Sequence, residues 1–133
     1  MKPIKIKRGM VFGVFDGLHP GHEFFLTAAA RNCGELVVVV TTSEAAALLK
    51  GRIPRQDISE RIAAIKSYGQ DFIVVAGDAV PGSWKVLKDH SPDVIFLGYD
   101  QHGIARELDR LGFAYRFVES FKPEVYKSSL IRI

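Results

Sequence analysis

Cysteine is almost missing from this chain. Cys33 is the only one in 133 residues, so no internal disulfide can form and no metal site can be built from thiolates. Long apolar runs are missing as well. The longest aliphatic stretch, Leu36 to Val40, falls far short of the ~20 residues that span a bilayer, and no charged-then-apolar leader opens the chain. Nor is there a strong excess of one charge: the net value of +3 at pH 7 is too mild to point to nucleic acid. Repeats, low-complexity runs and linkers are absent. Together these absences predict a soluble, cytoplasmic protein that engages neither membrane nor nucleic acid. Lys2, Lys5, Lys7 and Arg8 read as the solvated edge of an N-terminal strand, and Cys33 as a packing residue.

What is present is an ordinary globular composition, 47% hydrophobic and 25% charged, with length for one domain over 1–133 and a real core. Apolar and amphipathic stretches alternate throughout. Met10 to Phe15, closed by Asp-Gly, reads as a buried first strand. Pro20 suits the first turn of a helix that runs to a glycine cap at Cys33-Gly34. Glu35 to Thr42 is apolar without alternation, which predicts burial on both faces and hence a parallel sheet.

Further helices are predicted from Ser43, as N-cap, to Lys50, over Ser59–Tyr68, from Trp84 to His90 and from Ile104 to Leu111. Further strands are expected over Asp71–Ala76, Asp93–Leu97 and Ala114–Val118. Trp84 and the phenylalanines read as core, and His90 and His102 as surface groups. The fold class is therefore α/β, a doubly wound five-stranded parallel sheet. Ligands in such folds bind beyond the carboxyl ends of the strands, where strand order reverses.

The stretch Gly13 to His22 stands at such a strand-to-helix junction. The first N–H groups of a helix are unpaired and its dipole is positive there, so the junction attracts anions. His19 and His22 fall on one side of the first turn, with Gly21 between them to let a ligand approach the backbone. Two imidazoles beside free N–H groups can cradle oxyanions. The plainer alternative is a helix-capping His19 and a packed His22.

The pattern Gly13-x-Phe15-Asp16-x-x-His19-x-Gly21-His22 resembles the signature of the HxGH nucleotidyltransferases, the cytidylyltransferase-like superfamily. Supporting matches are Lys50 with Arg52, Ser59-Glu60-Arg61, Gly98-Tyr99-Asp100-Gln101, and Ser128-Ser129-x-Ile131-Arg132, so the resemblance covers nearly the whole chain. It implies a Rossmann-like fold and transfer of a nucleoside monophosphate from ATP or CTP to a small phosphorylated acceptor, with Mg²⁺ and release of pyrophosphate.

On that resemblance His19 and His22 hold the triphosphate, Ser128 and Ser129 add phosphate donors, and Arg132 adds a positive group. Lys50 reaches the α-phosphate or the acceptor's phosphate. Gly13, Val14, Phe15, Gly21, Gly98, Asp100 and Gln101 form the nucleotide side; Asp16, Arg52 and Arg61 form the acceptor side. Asp16 would orient the acceptor or a metal-bound water. Read from the residues alone, Lys50 and Arg52 fit solvated loop charges equally well, and Arg61 fits a pair with Asp57. The metal would be held largely by phosphate oxygens and water, with no protein ligand set.

Two departures stand out. The family often has a hydroxyl residue where this chain has Val14, and the last helix is expected to be barely a turn long. Lys50-Gly51-Arg52-x-Pro54, Leu97-Gly98-x-Asp100-Gln101 and the Ser128-Ser129 pair look most similar to archaeal-type FMN adenylyltransferases. Glycerol-3-phosphate cytidylyltransferases and sugar-phosphate adenylyltransferases are the alternative relatives, and a non-catalytic nucleotide-binding module is the alternative of another class. A homodimer is an expectation by analogy with relatives.

Overall fold

The computed structural model describes residues 6–80 and 82–118. The chain alternates in the order β1 (Arg8–Gly13), α1 (Pro20–Ala30), β2 (Glu35–Val40), α2 (Ser43–Lys50), α3 (Ile58–Tyr68), β3 (Ile73–Ala76), α4 (Lys85–His90), β4 (Val94–Leu97), α5 (His102–Leu111) and β5 (Tyr115–Phe117). The strands form one parallel sheet in the order β3-β2-β1-β4-β5. The chain winds outward from β1 to β3, then returns to place β4 on the other side of β1. Strand order therefore reverses between β1 and β4, where a crevice opens at their carboxyl ends.

Both faces of the sheet are covered, and the alternation of side chains divides the core in two. Met10, Val37, Val39, Ile95 and Leu97 point to the face packed by α4 and α5. Val11, Val38, Val40 and Phe96 point to the other face, where Leu26 and Ala29 of α1 and Ile65 of α3 meet them. The register Met10↔Val37 and Val11↔Val38 keeps each set on its own side. Complete burial of each such side chain contributes about 1.5–3 kcal/mol, and both halves of the Val37–Val40 run share in it.

Several local expectations are corrected. β1 is the central strand rather than an edge, and Arg8 at its start pairs with Glu35 at 2.6 Å and donates to the His90 carbonyl at 2.7 Å. β1 also ends at Gly13, because Phe15 has φ 53° and leaves the strand path. Helix α1 closes at Arg31 in right-handed conformation rather than on Gly34. Thr42, one residue before the expected Ser43, caps α2 by accepting the Ala45 N–H. Asp57 caps α3 in a reciprocal box with Glu60. Lys2 and Lys5 lie outside the described residues.

Candidate active site

The junction after β1 is built around one ring. Phe15, only 4% exposed, folds back on the strand end in left-handed conformation. A side chain on Gly13 would place its Cβ 2.6 Å from the Phe15 ring, so that position has room only for glycine. The same ring stands edge-on to His22, with centroids 5.4 Å apart. Buried apolar packing thus supports the histidine from below.

The two histidines hold each other. His19 is the N-cap of α1 and its Nδ1 accepts the Gly21 N–H at 3.1 Å. His22 Nδ1 accepts the His19 N–H at 3.3 Å. The rings stack at 3.6 Å with 22° between planes. With both Nδ1 atoms accepting, each ring when neutral carries its one proton on Nε2 and presents that N–H as its donor. The capping and anion-cradling readings are therefore compatible, since capping uses one ring nitrogen and leaves the other. Burial pushes the His22 pKa down to about 4, helped by His19 and opposed by Asp100, so the ring is neutral at pH 7.

A cavity of about 520 Å³ opens at this point between the ends of β1 and β4 and the start of the α2–α3 connection. Among the anticipated residues, Gly13, Val14, Phe15, Asp16, His19, Gly21, His22, Lys50, Arg52, Gly98, Asp100 and Gln101 line it. Lys50 ends α2 and Gly51 closes that helix with φ 79°, which turns the exposed Arg52 back toward the opening. Across the cavity, Gln101 accepts the Gly98 N–H at 2.9 Å and donates to the Phe12 carbonyl at 2.9 Å. It thereby ties the end of β4 to the end of β1. Phe12, Phe25, Ala46, Pro54 and Tyr99 also line the space. Their signal in the sequence was position within or beside the quoted motifs; their apolar character alone reads as core.

Of the acceptor-side residues, the structure brings Asp16 and Arg52 to the cavity and leaves Arg61 out of it. Arg61 has no exposed surface and is absent from the cavity wall. Its guanidinium donates to the carbonyls of Gln56, Val14 and Thr41 and to Ser43 Oγ. It does not pair with Asp57, whose carboxylate is engaged in the α3 cap. Asp16 reaches the cavity, yet its two oxygens accept the N–H groups of Arg55 and Gln56, each at 2.9 Å. Those two bonds, Arg55 foremost, hold its pKa below the ordinary carboxylate value. Ser128, Ser129 and Arg132 lie outside the described residues.

Paired N–H donors at a helix start, two facing cations and a switch-point crevice suit a polyanionic ligand. The profile of the cytidylyltransferase-like family matches residues 10–133. The chain belongs to that family. It is 34% identical over 137 aligned positions to the FAD synthase of Thermococcus sibiricus, covering 98% of this chain and 90% of that protein. It is 38% identical over 101 positions to the FAD synthase of Pyrococcus abyssi, covering 76% and 68%. Among solved structures, the lipopolysaccharide core biosynthesis protein of Thermoplasma volcanium is similar at TM-score 0.73 and 29% identity, covering 88% of this chain and 99% of that one. In this family member, among the described residues, no helix is long and apolar enough to cross a membrane, and no three His, Cys, Asp or Glu side chains group to hold a metal ion.

Proposed function

We propose that this chain is an FMN adenylyltransferase, joining AMP from ATP to the phosphate of FMN and releasing pyrophosphate. The observation that carries this reading is the stacked His19–His22 pair with both Nε2–H groups free of Nδ1's bonds, at the head of α1 and inside the cavity. The similarity to two FAD synthases supports the choice of acceptor.

The chemistry is an in-line displacement. A phosphate oxygen of FMN attacks the α-phosphorus of ATP, the bond from that phosphorus to the bridging oxygen breaks, and pyrophosphate leaves with the electron pair. His19 and His22 donate to the triphosphate and stabilise charge on the departing group. The α1 N-terminus adds its field. Lys50 and Arg52 draw in the acceptor's phosphate, and Asp100 faces the ribose and base. Catalysis is then positioning plus charge stabilisation, without a covalent intermediate. Mg²⁺ would be held mainly by phosphate oxygens and water. When bound it neutralises phosphate charge. Ser128, Ser129 and Arg132 complete the phosphate side in this reading.

The test is pyrophosphate release from ATP and CTP, each crossed with FMN, glycerol 3-phosphate and sugar 1-phosphates. Turnover with ATP and FMN is the expected result. A sugar phosphate as the preferred acceptor would favour the second reading, for which the 29%-identical lipopolysaccharide core biosynthesis protein is the supporting observation. Nucleotide binding without turnover anywhere on the grid would make the chain a binding module. Light scattering on the same preparation tests the homodimer.

A further inference from the structure

We propose that Asp16 and Arg61 fix the α2–α3 connection that carries Arg52 opposite the two histidines, Arg61 as a positioning residue that does not meet the ligand, and so set recognition of the acceptor. This rests on the adenylyl-transfer reading for its kinetic consequence, but not for its structural one. The connection between α2 and α3 has no regular structure, and Leu48 and Leu49 at the end of α2 and Ile53 within the connection are 75%, 68% and 74% exposed. Apolar packing within the described residues therefore does little to place it.

Hydrogen bonds from outside the segment do that instead. Asp16 Oδ2 accepts the Arg55 N–H and Oδ1 the Gln56 N–H, while Gly17 donates its own N–H to Gln56 Oε1 at 3.0 Å. The turn after β1 thus grips three points of the connection. From beneath, Arg61 Nε donates to the Gln56 carbonyl at 3.1 Å. The same guanidinium reaches Val14 O at 2.9 Å, Thr41 O at 2.7 Å and Ser43 Oγ at 3.1 Å.

Of these partners Val14 lines the cavity, while Thr41, Ser43 and Gln56 belong to the exit of β2, the head of α2 and the connection that carries Arg52 and Pro54 of the cavity wall. A planar fork with fixed donor directions sets their mutual distances, which a lysine cannot reproduce. Charge-assisted bonds are short and directional, so the clamp acts on backbone position. Arg61 has no surface with which to meet a ligand, so its effect on substrate is indirect. Asp16 stands in the cavity wall, and its two oxygens are anchored by the Arg55 and Gln56 N–H groups.

The test uses the full chain with Asp16→Ala and Gln56→Leu, because Arg61→Ala leaves buried carbonyls unpaired and can fail to fold. Asp16→Ala is expected to raise the KM for FMN about tenfold, with the KM for ATP and kcat within about twofold. Gln56→Leu should move the same constant in the same direction by less, and Arg61→Lys should not retain the wild-type acceptor KM. Amide hydrogen exchange should quicken across residues 51–57 of Asp16→Ala while α1 stays protected. Equal rises in both KM values, a fall in kcat alone, or a changed Mg²⁺ requirement would overturn the proposal. Unchanged exchange over 51–57 would overturn it even in a protein inactive on FMN. Wild-type inactivity on FMN is a separate result that removes only the acceptor assignment.

Discussion

The histidine loop and the arm that faces it bond to each other, yet they differ in what else holds them. Residues 13–22 have packing of their own: the Phe15 ring fills the space over Gly13, supports His22, and the two histidines bond each other's backbone neighbourhood, while Arg61 donates to the Val14 carbonyl from outside. Residues 50–57 are held from without, by Asp16, Gly17 and Arg61. The difference matches the two tasks of a transferase. Phosphoryl charge must be met by donors that need no reorganisation at the moment of reaction. An acceptor pocket can tolerate a looser mount, because binding there costs affinity before it costs rate.

The largest test of that contrast is His22→Ala. Loss of one preorganised donor should lower kcat by about 10²–10³, while circular dichroism and thermal melting show an intact fold, since the ring is only half-buried. Retention of near wild-type kcat would place the reaction elsewhere. Gly13→Ala attacks the same loop from below. Its new Cβ would meet the Phe15 ring at 2.6 Å, a contact that real side chains do not make. Overpacking of this kind costs about 1–3 kcal/mol, and a displaced Phe15 carries His22 with it. Both melting temperature and kcat should therefore fall, whereas a change confined to the melting temperature would mean that His22 is placed independently of Phe15.

Arg52→Ala probes the arm, where the effect should be smaller and of another kind. Arg52 is exposed and ion-paired to nothing among the described residues. Its removal should raise the KM for the acceptor by about five- to tenfold and leave kcat and stability nearly unchanged. Parallel loss of kcat would put Arg52 at the reacting phosphate and blur the distinction between the two arms.

The same contrast separates what could be read in the sequence from what could not. The unbroken Val37–Val40 run carried the parallel sheet, and glycine and proline punctuation placed the element order. Of the site, the part encoded by short spacing was legible: a histidine pair three residues apart on a helix start, and glycines where backbone turns. Positions joined over long separations were not. Arg61 lies on an amphipathic helix and reads as a partner of nearby Asp57, yet its partners Val14 and Thr41 are 47 and 20 residues away. Nothing in local periodicity records such a bond. The anchoring of Asp16 was hidden for the same reason: its partners are amides 39 and 40 residues on. Adjacent hydroxyls at Thr42 and Ser43 left the cap of α2 ambiguous by one position, and the left-handed Phe15 ended β1 early.

The subtlest way to sharpen the comparison is pH. Burial lowers the His22 pKa to about 4 from an ordinary 6.5. The neutral ring is the form that the folded site favours, so between about pH 4 and 6.5 the unfolded chain binds more protons at this residue than the folded one. Stability contributed by His22 therefore rises with pH across that window and is level above it. The ring is half in solvent, so screening leaves about 1 kcal/mol, or roughly 4 °C in melting temperature, as the expected size. A His22→Asn variant should lose that increment, and the gap between its melting curve and that of the wild type should change through the window and nowhere else. The acid limb of kcat/KM should likewise fall near the lowered value rather than near 6.5, because kcat/KM reports the free enzyme. An acid limb at the ordinary histidine value would mean that burial does not keep the essential ring neutral in the free enzyme. The arm offers no titrating histidine, so Arg52→Ala should leave that limb where it is.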